Sequence, residues 1–311
     1  MLVHEAIAAA VADCGVTTMF GLIGDAGVIA SARRPLVLVG RGALDKDTRS
    51  AVLEFAQRLD APPATTLRAC NLYRANEGSA GVFGTLSTDR GTQTIADSDC
   101  VIAFGASLDT WTTGRNEPTE RKAVVHVDID RAKPGRDSTP ATAVHGHAAR
   151  VAPEFIDRLD AGELTVRLFR DEVLAHTSPN DLRWTAPLRD RLDFAGVLSA
   201  LNAALPEAWM VAFDGGRLLG EAFKYTDTPG AAQQVLSTSF GAVGLGMGSA
   251  IGAACATAEP TALVTGGGSR RGGVDRGARH HRRLRRGRPC GDRRRGRPGH
   301  HTRRRRAGRA W

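Results

Sequence analysis

Between residues 35 and 160 the chain repeats one pattern: a short run apolar at every position, then a helix-length stretch apolar on one side. Leu36-Val37-Leu38-Val39 and Cys100-Val101-Ile102-Ala103-Phe104 are the clearest runs. Ala123-Val124-Val125-His126-Val127-Asp128-Ile129-Asp130 is a third, with shorter candidates at 64–67 and 143–146. A strand that alternates apolar and polar residues faces water on one side. The first two runs do not alternate, so both of their faces must be covered. The stretches between them read as helices: 45–60, with Val52, Leu53, Phe55, Ala56 and Leu59 on one side, a short one at 92–96, and 148–159. Strands of this kind separated by helices point to a parallel sheet with helices above and below. The fold class is therefore α/β, and residues 28–160 are expected to form a doubly wound parallel-sheet central domain of ordinary size.

The pattern is thinner on either side. Residues 1–27 read as a helix, with Leu2, Ile7, Ala10, Val11 and Cys14 at helical spacing, then a strand over 18–23 ending at Gly24-Asp25. That is too little for a domain and reads as the remnant of one. Residues 161–190 are mixed and polar, with Pro179 and Pro187, the composition of a linker. Residues 191–269 restart the alternation as an incomplete second α/β unit. It has a helix over 194–205 and a strand over 209–213 ending at Asp214-Gly215-Gly216. An extended piece from Val235, a small-residue helix over 241–256 and a strand over 262–265 ending at Gly266-Gly267-Gly268-Ser269 follow. Two glycine-rich strand ends would face one crevice at the carboxyl edge of a parallel sheet, where such sheets bind ligands. Glycines let a backbone approach a phosphate, and a helix N-terminus offers N–H donors.

Charge marks where this text stops. The 311 residues carry a formal charge of +9 and a pI near 10, a balance that normally points to nucleic acid. Of the 42 basic and 33 acidic residues, 18 arginines and two aspartates lie in 270–311. That leaves 24 basic and 31 acidic residues before position 270, an acidic body of net −7 with a tail of net +16. The tail has two aliphatic residues larger than alanine, Val274 and Leu284, so it cannot bury a core and is expected to be disordered. Its one aromatic, Trp311, gives no interleaved stacking. Binding of nucleic acid through 270–311 would be non-specific and strongly salt-dependent. The His pairs at 280–281 and 300–301 have no fixed geometry in such a segment to hold a metal.

Five scattered cysteines, an odd number with no C-x-x-C, read as thiols in a reducing compartment. No Lys or Arg precedes Arg33, so a signal peptide would lack its basic region. No run of 18 apolar residues exists, so no membrane span is expected, and the cytoplasm is the expected location.

Three stretches, in this order and spacing, resemble the thiamine-diphosphate-dependent 2-oxoacid enzymes, the acetolactate synthase and benzoylformate decarboxylase group in particular. Gly15-Val16-Thr17-Thr18-Met19-Phe20-Gly21-Leu22-Ile23-Gly24-Asp25 is similar to the opening of the family's pyrimidine-binding domain. Residues 35–159, with Leu38-Val39-Gly40-Arg41-Gly42 and Ile102-Ala103-Phe104-Gly105-Ala106, are similar to its central domain. Residues 194–269, with Ser239-Phe240-Gly241-Ala242-Val243-Gly244-Leu245-Gly246, are similar to the start of its diphosphate-binding domain.

The resemblance implies cofactors, thiamine diphosphate and Mg²⁺, and a substrate, a small 2-oxo acid that is decarboxylated and then ligated or released as an aldehyde. It implies that Asp214, Gly215, Gly216, Gly266, Gly267, Gly268 and Ser269 line the diphosphate. Gly241, Ala242 and Val243 would meet the aminopyrimidine ring, with Val243 wedging the cofactor into its bent form. It also implies active sites formed between two subunits: this chain could form a homo-oligomer, which cannot supply the missing half of such a site, or pair with an intact paralogue, which could. Central domains of the family carry FAD in some members and nothing in others, and both alternatives stay open here.

The departures matter as much. The family carries Gly-Asp-Gly where this chain has Gly266-Gly267-Gly268, and that aspartate binds Mg²⁺; a hard cation favours carboxylate oxygen. No glutamate of this chain matches the family's catalytic glutamate, which lies in the pyrimidine-binding domain. Residues 270–311 have the composition of GC-rich coding sequence read out of frame. A frameshift near codons 267–270 and an internal deletion near codons 26–28 are therefore expected. Catalytic residues are assigned as none, and activity is expected to be impaired or lost. Two alternatives stand beside this reading: a non-catalytic nucleotide-binding or subunit-pairing module, and a polyanion binder acting through its tail. In the central domain, Gly40-Arg41-Gly42 is either a nucleotide loop or a plain turn. Asp128 and Asp130 either touch a ligand or cap a strand end. His126 and His145 read as packed or edge histidines.

Overall fold

The computed structural model describes residues 23–114, 117–161, 168–175, 194–216, 218–236 and 243–264. Residues 1–22, most of 161–190, Gly241, Ala242, Gly266, Gly267, Gly268, Ser269 and the whole of 270–311 lie outside the described residues, and with them the sequence expectations that fall there.

The expected parallel sheet is present. Strands β1 (Pro35–Val39), β2 (Pro63–Thr65), β3 (Gly81–Val82), β4 (Cys100–Phe104), β5 (Ala123–Asp128) and β6 (Thr142–His145) form one six-stranded sheet in the order β3-β2-β1-β4-β5-β6. Every neighbouring pair is parallel, with Leu38 opposite Ala103 and Ala103 opposite His126 across the centre. All five residues of β1 and of β4 are buried, which is why their sequences do not alternate. The strand order reverses between β1 and β4, the switch point of a doubly wound sheet.

Helices α1 (Ile23–Ser31), α2 (Lys46–Arg58), α3 (Asp89–Asp97), the single turn α4 (Thr110–Thr113) and α5 (Ala148–Asp160) connect the strands. On one face, Phe55 of α2, Phe104 of β4 and Phe155 of α5 stack with ring centroids 5.5–6.3 Å apart. On the other, Leu36, Leu38, Val101 and Ala103 pack against Ile95 of α3. The helix starts are fixed by side-chain caps: Asp45 accepts from the Thr48 N–H at 3.0 Å, Thr88 from Gly91 at 3.1 Å and Asp109 from Thr112 at 2.9 Å.

Three local features differ from the sequence expectation. Helix α1 begins at Ile23, which the apolar run 18–23 places in a strand. Its Ile29 is fully buried in the first core, so tertiary packing sets the local structure there. Within the stretch read as linker, α6 (Phe169–Ala175) is a packed helix: Phe169 is buried, Arg34 lies over its ring at 5.6 Å and pairs with Glu172 at 2.7 Å. The small-residue helix starts at Gly246 and not at 241, because Val243 and Gly244 form a turn.

The second unit comprises α7 (Phe194–Ala204), β7 (Met210–Phe213), α8 (Leu218–Tyr225), β8 (Gln234–Leu236), α9 (Gly246–Ala256) and β9 (Thr261–Val264). Its three strands are parallel in the order β8-β7-β9. Trp209, Val211, Phe213 and Phe223 share a core with Cys70 and Val82 of the first unit. No helix among the described residues is long and apolar enough to cross a membrane.

Candidate functional site

The site is set by the end of β7. All four residues of this strand are buried, and β8 and β9 flank it. Its backbone pairing with β9 continues one residue further, the Asp214 N–H donating to the Val264 carbonyl at 3.0 Å. Asp214 is only 4% exposed. A buried carboxylate requires donors, and the backbone supplies them. Its Oδ1 accepts from the N–H of Gly215 and of Gly244, each at 2.8 Å, and of Gly246 at 3.2 Å. Its Oδ2 accepts from Gly244 at 2.9 Å.

This carboxylate does the work of a helix cap. Leu245, the N-cap residue of α9, offers no side-chain hydrogen bond, and Asp214 instead bonds the first N–H of the helix from 32 residues away. The negative charge also faces the positive end of the helix dipole. Two glycines make the approach geometrically allowed. A Cβ at 246 would stand 2.7 Å from Asp214 Cβ, and Gly244 adopts φ +102°, which other residues avoid.

Gly216, at φ +107°, turns the chain away from β7, and a Cβ there would touch Val243 Cγ2 at 3.4 Å. Val243 and Leu245 leave nearly half of their surfaces exposed on the turn held by Asp214. Asp214, Gly215, Gly216 and Val243, predicted separately from sequence, are thus brought together. What sequence reasoning missed is the bond between them: nothing in the residue types says that Asp214 holds 244 and 246.

These residues fit part of the group that the resemblance implies. The exposed Val243 beside side-chain-free Gly216 suits a flat ring that needs close backbone approach. Among the described residues no three His, Cys, Asp or Glu side chains cluster. Both oxygens of Asp214 are already engaged by main-chain N–H groups.

The candidate residues of the six-stranded sheet make structural contacts. The Gly40 N–H donates to the Phe104 carbonyl at 2.9 Å, and the Gly42 N–H to the Gly105 carbonyl at 3.0 Å. A Cβ at Gly40 would come 2.2 Å from the Gly105 oxygen, so the loop after β1 lies directly on the loop after β4. Asp128 and Asp130 cap the turn after β5: Asp128 Oδ1 accepts from the Asp130 N–H at 2.9 Å, Asp130 Oδ1 from Ala132 at 3.0 Å. His126 is wholly buried, its Nε2–H donating to the Ala106 carbonyl at 2.7 Å, and burial pushes its pKa down. His145 donates to the Ile129 carbonyl at 2.9 Å on the exposed edge.

Comparison with known proteins agrees with this architecture. Residues 26–157 match the thiamine pyrophosphate enzyme central domain. The doubly wound unit is therefore similar to the central domain of thiamine-diphosphate-dependent enzymes. The chain is also similar to acetolactate synthases. It is 26% identical over 249 residues to acetolactate synthase isozyme 1 large subunit of Escherichia coli K12, covering 78% of this chain and 42% of that protein. It is 26% identical over 255 residues to acetolactate synthase 3, chloroplastic, of Brassica napus, covering 76% and 36%. Over 136 residues it is 31% identical to the acetolactate synthase large subunit of Pyropia yezoensis, covering 42% and 23%. The chain thus spans less than half the length of these relatives.

Proposed function

We propose that this chain is a degenerate acetolactate synthase-like protein. On this reading it keeps part of the wall that faces thiamine diphosphate and does not turn over a 2-oxo acid. The observation that carries the reading is the turn at Val243, held by Asp214 against Gly216 at the carboxyl end of β7. When bound, the cofactor supplies the nucleophilic carbon that adds to the keto group of a 2-oxo acid. The chain's own residues can orient its ring: Val243 offers an exposed branched side chain, and Gly216 keeps the adjacent backbone bare. Gly267 stands where the family's Mg²⁺-binding aspartate would be, and no glutamate matches the one that moves the ring proton.

Calorimetric titration of the full chain with thiamine diphosphate, with and without Mg²⁺, tests this. Binding that Mg²⁺ does not strengthen is expected. Binding that Mg²⁺ tightens more than tenfold contradicts the loss of the metal site. No binding at all contradicts retention of the wall.

A second reading is favoured by the six-stranded sheet with its own two-faced core. Such a unit can persist as a non-catalytic pairing module, with an intact paralogue as the partner. Co-expression with that paralogue and size-exclusion analysis tests it; separate elution of the two chains contradicts it.

A further inference from the structure

Beside the shared core, the two units part to leave a cleft of about 620 Å³. That is within the usual size of small-molecule sites, which favour domain boundaries. The 70–82 stretch, the start of α3 and helix α8 line it, with Leu174 of α6 closing one side. None of its lining residues belongs to the Asp214–Gly246 site.

Hydrogen bonds across the seam hold the walls apart at a fixed distance. Asn71 Nδ2 donates to the Thr226 carbonyl at 3.2 Å and to Thr228 Oγ1 at 3.1 Å. Gln234 Nε2 donates to the Cys70 carbonyl at 2.7 Å, and Arg74 pairs with Asp227. Asn71 sits at φ +64°, a conformation that costs energy outside glycine, and these bonds hold it there. A cleft held open in this way binds without first having to be organised.

Its chemistry is two-sided. Val82, Leu86, Leu174 and Phe223 give an apolar wall. Arg74, Arg90 and Lys224 line it as well, together with Glu77 and Asp227, and Arg74 is paired with Asp227. Arg90 Nη2 donates to the Glu77 carbonyl at 3.0 Å, which fixes the guanidinium at the cleft.

We propose that this cleft binds a small organic anion: a flat apolar body against Leu86, Leu174 and Phe223, and one carboxylate or phosphate head toward Lys224 and Arg90. Guanidinium and ammonium groups suit either head.

The test is titration of the full chain with 2-naphthoate, 2-naphthyl phosphate and neutral 2-naphthalenemethanol, followed by fluorescence. Saturable one-to-one binding of at least one anion, tenfold tighter than the alcohol, is expected; the better of the two anions identifies the head. Lys224→Gln should weaken that binding at least fivefold, and Leu174→Trp, which puts a bulkier ring into the apolar wall, should weaken it at least as much. Circular dichroism of each variant confirms folding, and either variant alone suffices. Equal binding of the alcohol, no saturation, or affinity unchanged in a folded variant overturns the proposal. The last result would place the binding on the Arg-rich segment, which both variants leave intact.

Discussion

The carboxylate of Asp214 caps a helix whose first residue, Gly246, lies 32 positions later, and glycine is required at 246 because a Cβ would stand 2.7 Å from Asp214 Cβ. The pair joins β7 to α9 and thereby fixes the turn that carries Val243. Removing the carboxylate leaves the N–H groups of Gly244 and Gly246 without their acceptor. Asp214→Ala should therefore cost about 2–4 kcal/mol, as charge-assisted hydrogen bonds contribute roughly 1.5–3 kcal/mol each and overlap in effect. Urea unfolding at 25 °C checks this, and a loss below about 1 kcal/mol would mean that water replaces the cap.

Gly246→Ala should destabilise by overpacking, by about 1–3 kcal/mol. Asp214 Cα, at 2.9 Å from the new methyl, is backbone and cannot swing aside. Unfolding curves for Gly246→Ala and for Gly248→Ala, where nothing lies within 4 Å, give the comparison. The second change should be neutral or stabilising, since alanine favours a helix.

Asn71 offers a graded series. Asn71→Gly loses two side-chain bonds and relieves the left-handed backbone, whereas Asn71→Ala loses the bonds and keeps the strain. Alanine should therefore be the more damaging by about 1 kcal/mol. Equal losses would show that backbone conformation contributes nothing at this seam.

His126 makes stability depend on pH in a defined direction. Burial lowers its folded pKa below the ordinary histidine value of about 6.5. Below that pH the unfolded chain binds the extra proton, so the stabilisation is full above about pH 6.5 and drains as pH falls toward the folded value. The slope contributed is at most about 1.4 kcal/mol per pH unit. His126→Gln can still donate to the Ala106 carbonyl and should flatten the melting-temperature profile between pH 7 and pH 5 relative to the parent. Parallel profiles would contradict the assignment.

Much of the fold was readable from residues 35–160 because burial on both faces leaves a continuous apolar run. Leu36 to Val39 and Cys100 to Phe104 are of that kind, and both are strands. The two-residue β3 was not readable: Gly81 and Val82 carry no periodicity, and their pairing with Ala64 and Thr65 is set by the sheet. Helix α6 was hidden for a similar reason, since it is short, three of its seven residues are charged and only Phe169 and Val173 are buried. At the site, sequence supplied Asp214, Gly216 and Val243 as types but not as partners, because the contact at Gly246 spans 32 residues. The cleft at the seam, drawn from 65–90, 174 and 223–227, has no local signature at all.

The central claim is that the chain keeps part of a thiamine-diphosphate wall without the groups needed for turnover. Carbon dioxide release from pyruvate by the purified full chain, with saturating thiamine diphosphate and Mg²⁺, tests it most directly. A rate equal to the protein-free blank is expected. Release above the blank that requires both thiamine diphosphate and Mg²⁺ would contradict the account.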